Sequence, residues 1–133
     1  MRMKRSDFQR YFKNGRVIVD GRTFAIVKND RALAGAFAVV RDANETTCVV
    51  EDGAVESRKV IGVDRGWRLI TFDMILPFSL VGFLAQVSGA LAKEGISILS
   101  FSAYSTDHVF VKNKDLEKAV GALRKLGFIV TRQ

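Results

Sequence analysis

The sequence predicts an α+β fold: two helices across one face of a sheet in the second half, preceded by a strand-rich first half. Three observations carry this expectation. Residues 79–94 and 115–127 repeat apolar side chains at the spacing of an amphipathic helix. The other apolar runs are short, rich in Val, Ile and Phe, and bounded by Gly, Asp, Asn or Ser, which is strand grammar. The 133 residues, 48% apolar and 26% charged, suit one globular domain or two very small ones.

Residues 1–16, MRMKRSDFQRYFKNGR, form a basic arm. Phe8, Tyr11 and Phe12 recur in it at helical spacing, which predicts a short helix docked on the body. Two β-rich runs, 17–19 and 23–27, flank Asp20-Gly21, a pair that favours positive φ and predicts a tight hairpin. Residues 36–41 and 46–51 read as two more strands joined by the polar turn DANE. Residues 52–66 are polar and turn-rich, a connector with a short apolar piece at 60–63.

The pattern sharpens in the second half. Residues 67–75 are a strand. Leu80, Leu84, Val87 and Leu91 then set a helical stripe widened by Phe83 and Ala90, with Ser79 placed to cap its start and Gly95 to end it. Residues 96–103 and 108–112 are strands. In 115–127, Asp115 is the expected N-cap, Leu116, Ala119, Val120, Leu123 and Leu126 make the stripe, and Gly127 stops it. Residues 128–131 close the chain as a strand. From Trp67 onward the order is β-α-β-β-α-β, the ferredoxin-like arrangement, because two helices with one apolar stripe each need a single sheet face to cover. The predicted division is therefore a basic arm (1–16), a strand-rich half (17–66) and a ferredoxin-like unit (67–133). Strand 67–75 carries large apolar groups on both faces, Trp67 and Leu69 on one and Ile70 and Phe72 on the other. The face without helices is thus expected to pair with the first half or with another chain.

The net charge of +7 is uneven. Residues 1–31 hold nine Lys or Arg and three acids, a balance of +6, and the remaining residues hold twelve and eleven, a balance of +1. Such an arm either stays solvated or attracts phosphate backbones, so a nucleic-acid or protein adaptor is the alternative function class. It lacks the spaced aromatics of a strand-binding platform. Cys48 stands alone, which excludes an internal disulfide and a Cys-based zinc site within one chain, and it reads as a small buried thiol. No apolar run reaches the roughly 18 residues of a membrane span, and the start lacks an apolar signal region. The expected location is cytoplasmic.

The chemistry-bearing stretch is GISILSFSAYSTDHVFV, residues 95–111, two apolar runs around a polar corner. His108 follows Asp107 directly, and strand neighbours point to opposite faces, so the two are poorly placed to share a proton or a metal. With one histidine, no G-x-S-x-G and no Gly-rich phosphate loop, no catalytic residue, metal site or cofactor is expected. A helix start at Ser79-Leu80-Val81-Gly82 would present free amide groups suited to a carboxylate. Asp107 would meet an ammonium, with Ser102, Ser105 and Thr106 as neutral hydrogen-bonding groups. Together these complement a zwitterion. The plainer alternative is that Asp107 and Ser105 only build a turn.

The run LPFSLVGFLAQVSGALAKEGISILSFSAYSTDHVFVKNKDLEKAVGALRKLGF resembles the ACT domain, in particular the aspartate-kinase type and the CASTOR-type arginine sensors. The likeness rests on the loop Pro77-Phe78-Ser79-Leu80-Val81-Gly82, the stretch from Leu91 to Ile98, the corner from Ser102 to Asp107, and the stretch from Val111 to Val120. Residues 24–28, 37–41 and 46–51 are similar, more distantly, to a degenerate partner ACT unit without its helix. The resemblance implies a non-catalytic regulatory sensor that binds a small molecule, an amino acid foremost. It further implies a homodimer formed through ACT sheets, with the ligand at the interface between paired domains, and a regulated protein partner. The residues implied to hold the ligand are Ser79, Leu80, Val81, Gly82, Ser102, Ser105, Thr106 and Asp107.

Overall fold

The computed structural model describes residues 11–133. Residues 1–10, with Phe8 and most of the predicted arm helix, lie outside the described residues. Of that helix, Tyr11 and Phe12 are helical, and Phe12 is buried. Its ring stacks on Phe83 at 5.4 Å and meets Phe128 edge-on at 5.3 Å.

The described chain runs β1 (Arg16–Asn29), β2 (Ala38–Arg41), β3 (Thr46–Glu51), β4 (Gly62–Phe72), α1 (Phe83–Lys93), β5 (Ile98–Ser102), β6 (Asp107–Lys112), α2 (Leu116–Leu126) and β7 (Ile129–Arg132). The predicted α+β class holds: βαββαβ from β4 to β7, with both helices on one sheet face. The strands form one seven-stranded sheet among the described residues, in the order β2-β3-β1-β4-β6-β5, with β7 pairing β1.

The predicted hairpin at Asp20-Gly21 is not formed. Residues 16–29 are one strand, and both of its parts pair antiparallel with β4. A two-residue hairpin turn requires positive φ at its centre, and Gly21 is not among the positive-φ residues. Instead the Asp20 carboxylate accepts from the Arg22 backbone N–H (2.8 Å) and from its guanidinium, which gathers the extra residues into a bulge. Gly21 is needed there for a different reason: a Cβ would lie 2.6 Å from the Gln133 carbonyl oxygen. Before the bulge, residues 16–19 run parallel to β7 and stand between it and β4; after it, residues 24–29 pair with β3. β1 therefore belongs to both halves of the sheet, and its pairing with β7 makes the sheet mixed rather than wholly antiparallel.

Two boundaries also shift. The strand expected over 67–75 is Gly62–Phe72, because a bulge with Gly66 at φ +83° carries pairing across the supposed connector. The first helix begins at Phe83, not Ser79, with Gly82 as N-cap at φ +90° and no capping side chain. Asp115 stands at the N-cap of α2 but makes no side-chain capping bond, and Gly95 (φ +72°) and Gly127 (φ +112°) end the two helices in left-handed conformation.

Three apolar layers follow from strand alternation. Val17, Val19, Ile70, Phe72, Val109 and Val111 face the helices and meet Phe83, Val87, Leu91, Leu116, Val120 and Leu123. On the other face Phe24, Val49, Trp67, Leu69 and Phe110 form a second cluster. The sheet bends over it: Phe37, just before edge strand β2, reaches Phe110 (5.6 Å) and His108 (5.2 Å) of β6, although β3, β1 and β4 separate the two strands in the sheet. The open face is thus covered by the chain's own first half, one of the two expected partners. A third cluster, Ala25, Val27, Cys48, Val50 and Val55, lies under the loops that carry Leu33, Ala36 and Val60, with Cys48 fully buried as expected.

Candidate functional site

Two loops meet at one end of the helical layer. The first leaves β4 after Phe72 and turns at Pro77, whose carbonyl accepts from the Leu80 N–H (3.0 Å). It reaches α1 through the left-handed Gly82. Only a residue that tolerates positive φ lets the chain swing into the helix there. The second loop is the corner 103–106 between β5 and β6, closed by Ala103 N–H to the Thr106 carbonyl at 2.8 Å. The Leu76 N–H donates to the Ser105 carbonyl at 2.7 Å and ties the loops together.

Between them lies a cavity of about 300 Å³. Of the eight residues predicted to hold a ligand, it gathers Leu80, Gly82, Ser102, Ser105, Thr106 and Asp107. Ser79 and Val81 do not line it; both sit on the exposed outer side of the loop, because the helix starts later than its apolar spacing suggests. The sequence reading passed over Phe78, Phe83, Leu84 and Tyr104, which supply most of the apolar wall. Their signal was present as aromatics inside the loop and the corner, next to residues chosen for polarity.

Asp107 faces the helical side of the sheet, in step with buried Val109 and Val111. Its Oδ1 accepts from the Ser102 hydroxyl at 2.6 Å, across the β5–β6 register pair these residues form. Among the described residues, Asp107 has no ion-pair partner and no Lys, Arg or His lines the cavity. Opposite it the first turn of α1, Phe83 to Ala85, lies on the lining. First-turn N–H groups have no intrahelical acceptor, and no side chain caps them here. The cavity therefore carries an anionic group on one side, a helix start that favours negative charge on the other, and apolar side chains between.

His108 projects to the opposite sheet face, as alternation requires. Its Nδ1 lies 2.9 Å from Thr71 Oγ1, and Phe37 packs edge-on against its ring. Burial holds its pKa below the usual value, with Asp107 opposing the shift. It contributes to the face-covering cluster and not to the cavity. Among the described residues no group of three or more His, Cys, Asp and Glu is placed to hold a metal ion, and no helix is long and apolar enough to cross a membrane.

The cavity's rim is exposed and apolar. Phe78 and Tyr104 are 77% and 82% exposed, yet their rings meet at 4.9 Å across the two loops. Ile75 and Val81, on the same loop as Phe78 but outside the cavity lining, are exposed as well.

Comparison with known proteins places these elements. A structural-genomics protein from Agobacterium tumefaciens superposes with a TM-score of 0.79 at 23% identity, over 90% of this chain and 94% of that one. A Vibrio cholerae protein of unknown function gives 0.76 at 21% identity, over 92% and 97%. The ligand-free regulatory subunit of aspartate kinase from Thermus thermophilus gives 0.62 at 13% identity, over 83% and 95%. At these identities the likeness is one of fold. No curated protein matches the sequence. The ACT-domain family model matches residues 62–125, from the first residue of β4 to the last turn of α2. By that match, and by the βαββα order over the same residues, residues 62–125 of this chain resemble the ACT domain in sequence as well as in fold.

Proposed function

We propose that this protein is a non-catalytic regulatory module that binds an amino acid in the cavity between the β4–α1 loop and the β5–β6 corner. One observation carries the reading. One cavity is lined both by Asp107, from the corner, and by the first turn of α1, which no side chain caps. Those are the two ends a zwitterion needs: a carboxylate for its ammonium, and free amide groups for its own carboxylate. The cavity sits at the small end of the roughly 300–1,000 Å³ range of ligand pockets, which fits a single amino acid. The fold shared with aspartate kinase regulatory subunits supports the regulatory role. The exposed Phe78 and Tyr104 at the mouth, with Ile75 and Val81 exposed on the same loop as Phe78, suit a second copy of the chain closing over the ligand, as a homodimer would.

A thermal-shift screen of the twenty amino acids at millimolar concentration tests this. A ligand at about one hundred times its Kd adds about 2.7 kcal/mol, or about 10 °C in Tm for a chain of this length. Asp107→Ala removes the shift while changing the unliganded Tm by only a few degrees. Absence of a shift with all twenty refutes the reading. Unfolding of Asp107→Ala would show instead that the Ser102–Asp107 bond serves the turn.

A further inference from the structure

We infer that the ligand is an amino acid with an apolar side chain, branched or aromatic, and that the site turns away acidic and basic ones. This rests on the amino-acid reading above and adds to it the class of side chain. Among the described residues, Asp107 is the single charged side chain on the cavity wall. One of its oxygens is held by Ser102, and among the described residues the carboxylate has no ion-pair partner, so it can serve one ammonium group. That role goes to the α-ammonium, which every amino acid brings.

The Ser102 hydroxyl bonds Asp107 at that end, and Ser105 and Thr106 line the cavity on the same corner. A side chain pointing away from the corner meets Leu80, Phe83 and Leu84 from the loop and helix, with Phe78 and Tyr104 at the mouth. An Asp or Glu side chain would bring a second negative charge beside Asp107, with no Lys, Arg or His among the described lining residues to meet it. A Lys or Arg side chain would lose its hydration against carbon with no second carboxylate to pair. Either mismatch is a desolvated, unpaired charge, the usual means by which a site rejects a wrong ligand. An apolar side chain meets no such penalty and covers surface that is otherwise exposed.

The exposed aromatic pair supports the same reading. Phe78 and Tyr104 come from different loops, are each about four-fifths exposed, and touch each other edge-on across the mouth. Their open faces offer an aromatic or branched side chain a contact of the edge-to-face kind.

Calorimetric titration of the purified chain with phenylalanine, leucine, aspartate, glutamate and lysine tests the inference, with phenethylamine and 3-phenylpropionate as probes carrying only one of the two charged ends. Phenylalanine and leucine are expected to bind at least about tenfold more tightly than the three charged amino acids. Tyr104→Ala and Phe78→Ala, which remove exposed rings and leave the fold intact, weaken phenylalanine roughly 3- to 10-fold. Asp107→Asn keeps the Ser102 hydrogen bond, yet weakens phenylalanine and phenethylamine and leaves 3-phenylpropionate unchanged. Tighter binding of aspartate, glutamate or lysine than of phenylalanine and leucine overturns the inference and leaves the amino-acid reading standing. An absence of binding by every amino acid in the screen overturns both.

Discussion

The bend that lays the first half over the open sheet face predicts a measurable energetic coupling between Phe24 and Phe110. The two rings belong to β1 and β6, are essentially fully buried, and meet edge-on at 5.5 Å with an interplanar angle of 78°. Replacing either with leucine keeps the site apolar but removes the ring edge. Each single change is expected to cost about 1–2 kcal/mol, less than the roughly 3–5 kcal/mol of truncation to alanine. With an unfolding entropy of about 0.28 kcal/mol/K for a chain of this length, that is a fall of about 4–7 °C in Tm. The double variant then loses less than the sum, because the second change removes a contact the first has already broken. The expected coupling is about 0.5–1.5 kcal/mol, the worth of one edge-to-face pair. Urea unfolding of the wild type, both singles and the double gives the cycle. Phe110→Leu combined with Phe128→Leu is the control, since Phe128 lies in the cluster on the helical face and the pair should be additive. Additivity of the Phe24 and Phe110 changes within about 0.3 kcal/mol would refute the wrapped arrangement.

Two further outcomes are expected. Because burial lowers the pKa of His108 in the folded state, the unfolded chain takes up its proton first as pH falls, so this group's contribution to stability is lost below the usual 6.5. Asp20, Asp64 and Glu117, held below their usual range by Arg22, Lys112 and Arg132, respond only at lower pH. His108→Gln should therefore flatten the decline in Tm between about pH 7.5 and about pH 5, and an identical decline in the variant would contradict the assignment. Gly21→Ala should push away the C-terminal carbonyl that a Cβ would meet at 2.6 Å and break the Gln133 N–H bond to Val19 (3.0 Å). The expected cost is about 1 kcal/mol, or about 4 °C, with lost amide protection at Gln133, and retained protection there would argue against the close approach.

Local pattern made the second half readable from its letters. The stripes of α1 and α2, the glycines that end them, and the alternation of β4 and β6 each depend on residues a few positions apart, so the ferredoxin-like order and the opposed faces of Asp107 and His108 were legible before any coordinates. The corner chemistry was legible for the same reason: Ser102 and Asp107 are near neighbours joined by a short turn. Asp20-Gly21 shows where such reading stops. Two residues that favour a tight turn form a bulge, because the partners that decide the matter, β4 and the C-terminal residue Gln133, lie about fifty and more than a hundred positions away. The start of α1 misled for a related reason, since the loop is tied down by Ser105 from the corner and by the turn at Pro77, and only past Gly82 can the chain turn helical. Whether the apolar back of the sheet would meet a second molecule or the chain's own first half was likewise a question of distant contacts. Short-range periodicity established which faces were apolar; the long-range pairing of β1 with β3, β4 and β7, invisible to any local window, decided what covers them, and the pairing of β4 with β6, which sets Phe72 opposite Asp107, brought the β4–α1 loop and the corner together around one cavity.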